Sequence, residues 1–179
     1  MTTASEILKE VDEALGAVDV CQVQTLEDEI LSAKHIFLAG AGRSGLMSKA
    51  FANRLMHLGF SASVVGDVTS PHSMSGGLLL VGSGSGETAS LAGQAAQAKK
   101  ANMRVALITT NPLSTIAGLA DAVVTIPAQS KTSAEESMQP MGSTFEQASL
   151  VLYDAMAVDL MGKTGQTEKD LSGRHADIE

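Results

Sequence analysis

Two glycine-rich turns carry the residues of this chain that are best suited to bind an anion. Each follows a short apolar run and opens a helical stretch. A helix N-terminus offers unpaired backbone N–H groups and a partial positive charge, and glycine lets that backbone approach a phosphate closely. The hydroxyls of Ser44, Ser83, Ser85 and Thr88 could add donors, so we expect one phosphate site. The turns are Gly40-Ala41-Gly42-Arg43-Ser44-Gly45 and Ser83-Gly84-Ser85-Gly86-Glu87-Thr88.

Taken alone, the first turn has a second interpretation. Its glycine spacing is that of a dinucleotide site, and Asp67 follows where a ribose-binding acid would be expected. Tight packing of a strand against a helix explains the same glycines equally well. The second turn favours phosphate binding, because a helix N-cap needs only one of its three hydroxyls. Neither turn has a P-loop lysine, so a single phosphate fits better than a triphosphate.

The four histidines are candidates for proton transfer, since histidine titrates near neutral pH. His35 opens a predicted strand and His72 lies in a predicted loop, so we expect packing or surface roles for both. His57 lies in the last turn of a helix that ends at Gly59, where a cation complements the helix dipole. His175 lies in a polar tail, and such a tail ordinarily frays.

Composition and charge exclude several classes of protein. The formal net charge of −8 argues against a nucleic-acid surface and against binding to an anionic membrane. No apolar run reaches the roughly 18 residues of a membrane span. The single Cys21 excludes an intrachain disulfide and a multi-cysteine metal site, which indicates a reducing compartment. We therefore expect a cytoplasmic protein without a metal site.

Hydrophobic periodicity predicts one α/β domain. Two amphipathic helices, Ser5–Ala17 and Thr25–Ala33, come first, and their apolar faces are available for a partner subunit. The alternation that follows predicts a doubly wound parallel five-stranded sheet with helices on both faces. Ligands of such sheets bind beyond the strand C-termini, where both glycine turns fall. The predicted strands are His35–Ala39, Ala62–Val65, Leu78–Val81, Val105–Thr109 and Ala122–Ile126, and the helices between them are Ser44–Leu58, Glu87–Ala101 and Ser114–Ala120.

We divide the single domain, residues 1–179, into three parts. The N-terminal helices occupy 1–33, the α/β core occupies 34–162, and a C-terminal tail occupies 163–179. Within the core, the polar stretch from Gln129 to Pro140 predicts a loop that leads into a last long helix, about Thr144 to Met161.

Five segments spread over nearly the whole chain form one pattern: Gly-Arg-Ser-Gly at 42–45, Arg-Leu-Met-His-Leu-Gly at 54–59, Ser-Gly-Ser-Gly-Glu-Thr at 83–88, Gln-Pro-Met-Gly-Ser-Thr-Phe-Glu at 139–146, and Arg174-His175. Together they resemble the 6-phospho-3-hexuloisomerases, which are sugar isomerase (SIS) domain enzymes. The second glycine turn indicates only the wider SIS class. The Gln-Pro-Met-Gly-Ser segment and the one-domain length narrow the resemblance to the hexuloisomerases. Thr144 departs from the pattern, because an apolar residue such as leucine is expected there.

The resemblance implies a fold, an activity and partners. The fold is a SIS domain, a flavodoxin-like sandwich. The activity is the interconversion of D-arabino-hex-3-ulose 6-phosphate and fructose 6-phosphate through an enediolate, without a cofactor. The setting is the ribulose monophosphate pathway of formaldehyde assimilation or pentose supply. The expected partners are further copies of the chain, in a dimer or homotetramer, and a functionally coupled hexulose-6-phosphate synthase.

The resemblance also assigns roles to particular residues. Glu146 is the implied base that carries a proton between carbons 2 and 3, although Ser143 to Glu146 also matches a capping box that would merely start a helix. His175 is the implied acid/base partner, delivered from its own or a neighbouring subunit. Arg43 would stabilise the enediolate, bind phosphate or remain solvated. Glu87 would repel a phosphate, so we expect it to face away or to contact sugar hydroxyls.

Alternatives to this activity remain open at this point. Another SIS-type aldose-ketose isomerase could act on an arabinose or amino sugar phosphate. A non-catalytic sugar-phosphate-sensing domain would keep both phosphate turns and lack a competent base. A dinucleotide oxidoreductase is a more distant third alternative, based on the first turn alone.

Overall fold

A five-stranded parallel sheet forms the centre of the molecule. The computed structural model describes residues 2–129 and 137–178. The strand order is β2-β1-β3-β4-β5, and every neighbouring pair is parallel. The chain reverses its direction of travel across the sheet between β1 and β3, which confirms the predicted doubly wound topology. The strands are β1 (Ile36–Gly40), β2 (Ala62–Val64), β3 (Leu78–Gly82), β4 (Arg104–Thr109) and β5 (Ala122–Thr125).

Helices cover both faces of this sheet, as the sequence predicts. Alternate residues of β3 belong to separate cores: Leu78 and Leu80 pack on one face, and Leu79 and Val81 on the other. This two-sided burial explains the continuous apolar run of the strand. The helices are α1 (Thr3–Gly16), α2 (Val20–Ser32), α3 (Gly42–His57), α4 (Ala89–Lys100), α5 (Ser143–Thr164) and α6 (Glu168–Ser172). In the described part of the chain, no helix is long and apolar enough to cross a membrane.

The two N-terminal helices belong to the core of the chain, which corrects the expectation that their apolar faces await a partner. Val11 and Ala14 of α1 are buried, as are Leu26 and Ile30 of α2. Helix α1 packs on α5, and α2 packs on β5. Helix α2 also begins earlier than predicted, because the Asp19 carboxylate accepts a hydrogen bond from the backbone N–H of the second residue after it.

Two other segments differ from the periodicity-based prediction. The stretch 114–120 forms only a short 3₁₀ turn at Ala117–Leu119, because seven residues that include a glycine are too few to offset the cost of helix nucleation. The C-terminal tail contains α6, which starts with a capping box between Thr167 and Asp170. Residues 130–136 of the predicted polar loop lie outside the described part, and Pro140–Gly142 forms a 3₁₀ turn before α5.

Candidate active site

A pocket of about 320 Å³ opens at the carboxyl ends of β1 and β3. This is the point where the strand order reverses, and it is the usual ligand site of doubly wound sheets. Both glycine turns contribute to it, so the structure brings together the two motifs that the sequence singles out. The lining residues are Ala41, Gly42, Ser44, Gly82, Ser83, Gly84, Ser85, Thr88, Leu91, Met141, Gly142, Phe145 and Glu146.

Three helices begin at this pocket, and none of the three has a side-chain cap. They are α3, α4 and α5, whose N-cap positions are Ala41, Thr88 and Gly142. The N-termini of α1, α2 and α6 are capped by Thr2, Asp19 and Thr167, respectively. Capping groups normally satisfy the first backbone N–H groups of a helix, so the uncapped N-termini leave donors for a bound anion.

In the first turn, two glycines serve close packing and a third shapes the backbone. A Cβ on Gly40 would lie 2.8 Å from the Cα of Gly45, and one on Gly45 would lie 2.7 Å from the Gly40 oxygen. Gly42 has a φ of 58° at the start of α3, a conformation that favours glycine. The packing explanation therefore holds for two glycines, and the same tight approach brings the α3 N-terminus to the pocket.

In the second turn, two serine hydroxyls accept bonds from the backbone and keep their own hydrogens. Ser83 Oγ accepts from Gly86 N at 3.2 Å, and Ser85 Oγ accepts from Glu87 N at 3.2 Å. A hydroxyl that accepts through its oxygen still has one O–H to donate, and both serines line the pocket. The turn thus holds its hydroxyls in place for a ligand that only accepts hydrogen bonds.

The end of β4 supports this turn, a contribution that the sequence analysis missed. Both Thr109 Oγ1 and Thr110 Oγ1 donate to the Gly84 carbonyl at 2.9 Å. Gly86 lies at a φ of 64° and would collide with Ser114 if it carried a Cβ. The position of the two threonines at the end of β4 could have suggested this role, because parallel strands β1, β3 and β4 all end at the same edge of the sheet.

The Glu87 side chain is held outside the pocket. Its carboxylate accepts from the Thr115 backbone N–H at 2.7 Å and from the Thr115 hydroxyl at 2.6 Å. These hydrogen bonds lower the pKa of the Glu87 carboxyl and keep it charged. Glu87 is absent from the pocket lining, so the structure does not bring its side chain to the pocket with the serines of the same turn, as contact with sugar hydroxyls would require.

Glu146 lies in the pocket and pairs with Arg43. Arg43 Nη1 donates to Glu146 Oε2 at 3.1 Å; the Glu146 side chain is 9% exposed and that of Arg43 is 46% exposed. The alternative capping box is not formed, because Gly142 occupies the N-cap position and Ser143 Oγ donates to the Pro140 carbonyl instead. The Glu146 carboxylate is therefore turned toward the glycine turns and not back onto its own helix.

The pocket wall around Glu146 comes from the segment that precedes α5. Met141 and Gly142 both have positive φ values, 60° and 79°, and Phe145 packs against Gly84. These residues belong to a segment that carried the family resemblance, but the sequence analysis did not assign them to the site. No helical or strand periodicity in the sequence marks these residues as part of a pocket.

The structure places His175 away from the pocket of its own chain. Its ring stacks on His57, with centroids 5.2 Å apart, and His57 is the last residue of α3. Fifteen helical rises of 1.5 Å separate His57 from Gly42, so the stacked pair lies roughly 22 Å along α3 from the pocket end. Burial lowers the pKa of His57, and nearby His175 and Arg54 lower it further.

Arg174 anchors the tail that carries His175. Its guanidinium Nη1 donates to the His57 carbonyl and to Gln166 Oε1, each at 2.9 Å. The same group packs 3.2 Å from the position of a Cβ on Gly59. The tail is thus attached to the C-terminal end of α3, where the last carbonyls of the helix lack intrahelical partners.

The other two histidines lie outside the pocket lining. His35 is buried on Phe37, and its two ring nitrogens contact Ser61 Oγ at 2.7 Å and Ser63 Oγ at 2.8 Å. His72 is exposed and bonds to the next carbonyl along the chain. Within residues 2–129 and 137–178, no group of three His, Cys, Asp or Glu side chains is arranged to hold a metal ion.

Sequence comparison defines the class of protein to which this fold belongs. A model of the SIS domain family matches residues 29–158. The chain therefore belongs to the SIS domain family.

Individual relatives narrow the similarity within this family. The chain is 44% identical over 178 residues to the 3-hexulose-6-phosphate isomerase of Bacillus subtilis strain 168, covering 98% of this chain and 96% of that protein. It is 45% identical over 177 residues to the 3-hexulose-6-phosphate isomerase of Mycobacterium gastri, covering 98% and 89%. A crystal structure of a hypothetical protein from Methanococcus jannaschii, from which a 3-hexulose-6-phosphate isomerase function was inferred, aligns with a TM-score of 0.87 at 30% identity, covering 98% of both chains.

Proposed function

We propose that this chain is an isomerase that interconverts D-arabino-hex-3-ulose 6-phosphate and fructose 6-phosphate. The observation that carries the proposal is the position of Glu146, a buried carboxylate in the pocket that both glycine turns line. The similarity to 3-hexulose-6-phosphate isomerases over nearly the whole chain supports the same substrate pair.

The phosphate would bind at the uncapped helix N-termini. Ser83, Ser85 and Thr88 line the pocket, as do residues at the uncapped N-termini of α3 and α4. Neutral donors suit this task in a chain of net charge −8, because the attraction is local and short-ranged. Ser44 adds a further hydroxyl from the first turn.

Glu146 would move one proton between neighbouring carbons. Starting from the 3-ulose, its carboxylate takes the proton from carbon 2, and the electrons of that C–H bond form the C2–C3 double bond of an enediolate. A proton passes from oxygen 2 to oxygen 3, and Glu146 returns its proton to carbon 3. The carbonyl is then at carbon 2, and the enzyme is unchanged. Arg43, which contacts the carboxylate, would stabilise the negative oxygen of the enediolate.

His175 of the partner subunit is our candidate for the proton transfer between the oxygens. Within its own chain, this residue lies at the far end of α3 from the pocket. The 3-ulose cannot close the usual five-membered ring onto carbon 3, because its oxygen 6 carries the phosphate. Fructose 6-phosphate does cyclise through oxygen 5, so the histidine would also assist ring opening on that side. His57 would then hold the ring of its own chain's His175.

A second copy of the chain has an apolar surface available to it on α3 and α5. Leu46 is 60% exposed, Val151 47% and Val158 64%. Symmetric homo-oligomers are the common outcome for such surfaces. We propose a dimer or homotetramer in which each pocket is completed by its neighbour.

The reaction has a metabolic setting that follows from its chemistry. A 3-ulose phosphate with six carbons forms when formaldehyde adds to a five-carbon ketose phosphate, so a hexulose-6-phosphate synthase would supply the substrate in formaldehyde assimilation. The reverse direction would supply pentose. We place both directions of the reaction in the cytoplasm, because the single cysteine is exposed and unpaired, as is usual in a reducing compartment.

Heavy-water exchange with fructose 6-phosphate tests the proposal directly. Deprotonation to the 2,3-enediolate introduces deuterium at carbon 3, whereas an aldose-ketose isomerase introduces it at carbon 1. A sensing domain would bind the sugar phosphate and exchange neither position. Deuterium at carbon 3, without any added cofactor, is the expected result, and either of the other outcomes would contradict the proposal.

A further inference from the structure

The carboxylate of Glu10 connects α1 to the segment that precedes α5. Glu10 is half-buried, and all of its described hydrogen-bond partners lie more than 120 positions further along the chain. Oε1 accepts from Met138 N at 2.9 Å. Oε2 accepts from Ser137 Oγ at 2.8 Å, Gln139 Nε2 at 3.0 Å and Thr144 Oγ1 at 3.1 Å.

All four hydrogen bonds can exist together, because each has its own hydrogen. Ser137 and Thr144 each donate their single hydroxyl hydrogen, and Met138 donates its backbone N–H. Gln139 uses one amide hydrogen for Glu10 and the other for Thr144 Oγ1, at 3.1 Å. A carboxylate accepts at both oxygens, whereas a carboxamide in this place would set its NH₂ group against a donor in either orientation.

These bonds hold both ends of a strained turn. Between Gln139 and Thr144 the chain passes through Met141, which has a φ of 60°, and Gly142, with a φ of 79°. A methionine in the left-handed region is unfavourable and persists only where surrounding contacts impose it. Met141 and Gly142 line the pocket, and Glu146 follows on the first turns of α5.

We propose that Glu10 is a positioning residue that sets the place of the Glu146 carboxylate relative to the phosphate turns. The inference rests on the proposed role of Glu146 as the base. Of the four residues that donate to Glu10, Thr144 is the nearest to Glu146 in sequence. Thr144 is also the residue that departs from the family pattern, at a position where an apolar residue is expected. Partial burial raises the pKa of the Glu10 carboxyl, but the bond from Gln139 and the other three lower it to about 2, so the carboxylate is ionised at neutral pH.

The first test compares Glu10→Gln with Glu13→Gln. Glu13 lies on the same helix, is exposed, and pairs with Lys9 at 3.5 Å, so the control makes the same charge change away from the turn. We expect Glu10→Gln to lower kcat for carbon-3 exchange about tenfold or more, the scale of a misplaced catalytic group. KM for fructose 6-phosphate and the Kd of inorganic phosphate should not change, because Glu10 contacts neither glycine turn. Glu13→Gln should match the wild type.

A double-mutant cycle with Thr144→Val identifies the contact. If both residues act through one network, the double variant loses little more kcat than the worse single variant, whereas independent effects multiply. If Glu10→Gln does not fold, Thr144→Val must itself lose kcat while Thr144→Ser, which keeps the hydroxyl, retains it. Hydrogen exchange at residues 138–142 should accelerate in the impaired variants while β3 stays protected.

Two results overturn different parts of this account. Wild-type kcat in folded Glu10→Gln and in Thr144→Val, or an increase in KM without a loss of kcat, would overturn the positioning role. Wild-type exchange in Glu146→Gln would instead overturn the proposed base, whatever the Glu10 variants do.

Discussion

Replacement of Glu146 by glutamine should remove most of the activity and little of the stability. Glutamine has nearly the same shape and keeps an oxygen that can accept from Arg43, so the contact at 3.1 Å can persist without its charge. An ion pair with one half-exposed partner contributes about 0–1 kcal/mol. For a chain of 179 residues, a loss of that size lowers Tm by at most about 4 °C.

The expected loss of activity is much larger than the loss of stability. General bases contribute about 10²–10⁴-fold to rate, and a hundredfold loss corresponds to about 2.7 kcal/mol of barrier height. The assay is deuterium incorporation at carbon 3 of fructose 6-phosphate in heavy water, with thermal melting of the same preparation. Glu13→Gln is a matched control, because Glu13 forms an exposed ion pair with Lys9 at 3.5 Å on α1, away from the pocket and from the proposed subunit surface on α3 and α5.

The comparison of the two variants decides the role of Glu146. A loss of at least about a hundredfold in Glu146→Gln, with Glu13→Gln near wild type, supports a general base. Exchange near the wild-type rate in folded Glu146→Gln would refute the reasoning and leave the carboxylate a structural ion pair. A large drop in Tm would show that the ion pair contributes more to the free energy of unfolding than its exposure indicates.

Three further predictions concern the phosphate turn, the subunit partner and pH. Thr88→Val should weaken binding of fructose 6-phosphate in calorimetry about tenfold, since a hydrogen bond to a charged group contributes about 1.5–3 kcal/mol. Ser83→Ala should weaken binding and also lower Tm, because Ser83 Oγ accepts a hydrogen bond from a backbone N–H. Unchanged affinity in both variants would place the phosphate elsewhere. Mixing inactive Glu146→Gln with inactive His175→Ala under subunit exchange should restore activity, and verified hybrids that stay inactive would exclude a shared site. The pKa of the Glu10 carboxyl is about 2 in the folded chain, below its ordinary value of 4.5, so its contribution to stability is complete above pH 4.5 and is lost as pH falls toward 2. Urea unfolding should show the free energies of unfolding of wild type and Glu10→Gln converging over that range, and a constant difference between them would contradict the prediction.

The sheet and the location of the pocket could be predicted from sequence because both depend on local patterns. Apolar runs such as Leu78 to Val81 define buried strands, and alternation with helices makes the sheet parallel. In a parallel sheet the carboxyl ends of β1 and β3 lie at the same edge, so two glycine turns that are far apart in sequence meet there. That step needs topology alone and no side-chain geometry.

The long-range contacts of Glu146 and of the segment before α5 could not be predicted in the same way. Arg43 and Glu146 are 103 positions apart, and Glu10 and Thr144 are 134 apart, so no local period relates them. The capping-box pattern at Ser143 was misleading because the preceding Gly142 adopts positive φ and takes the N-cap position itself. Tertiary contacts overrode a local preference at the point where the proposed chemistry takes place.

The short helix in the tail illustrates a second limit. Helix α6 has only five residues, and a helix of that length is not stable without support. One support is a local capping box, which is visible in the sequence as Thr167 and Asp170. The other is the hydrogen bond from Arg174 to the His57 carbonyl, which the sequence does not reveal. The expectation of fraying, based on the polar composition of the tail, was therefore wrong for residues 167–174, because composition carries no information about this attachment.

The pairing of Arg43 with Glu146 also gives the proposed site a constant charge during the reaction. In the free pocket the two side chains form an ion pair, and the proposed phosphate site consists of neutral hydroxyls and backbone N–H groups. In the proposed reaction, Glu146 would lose its negative charge on taking the carbon-2 proton, and the same charge would appear on the enediolate oxygen. Arg43 would then lose one anionic partner as another formed nearby, so a single cation could stabilise the carboxylate before proton transfer and the enediolate after it. Because Arg43 is about half exposed, its guanidinium can follow that charge without unpacking the core.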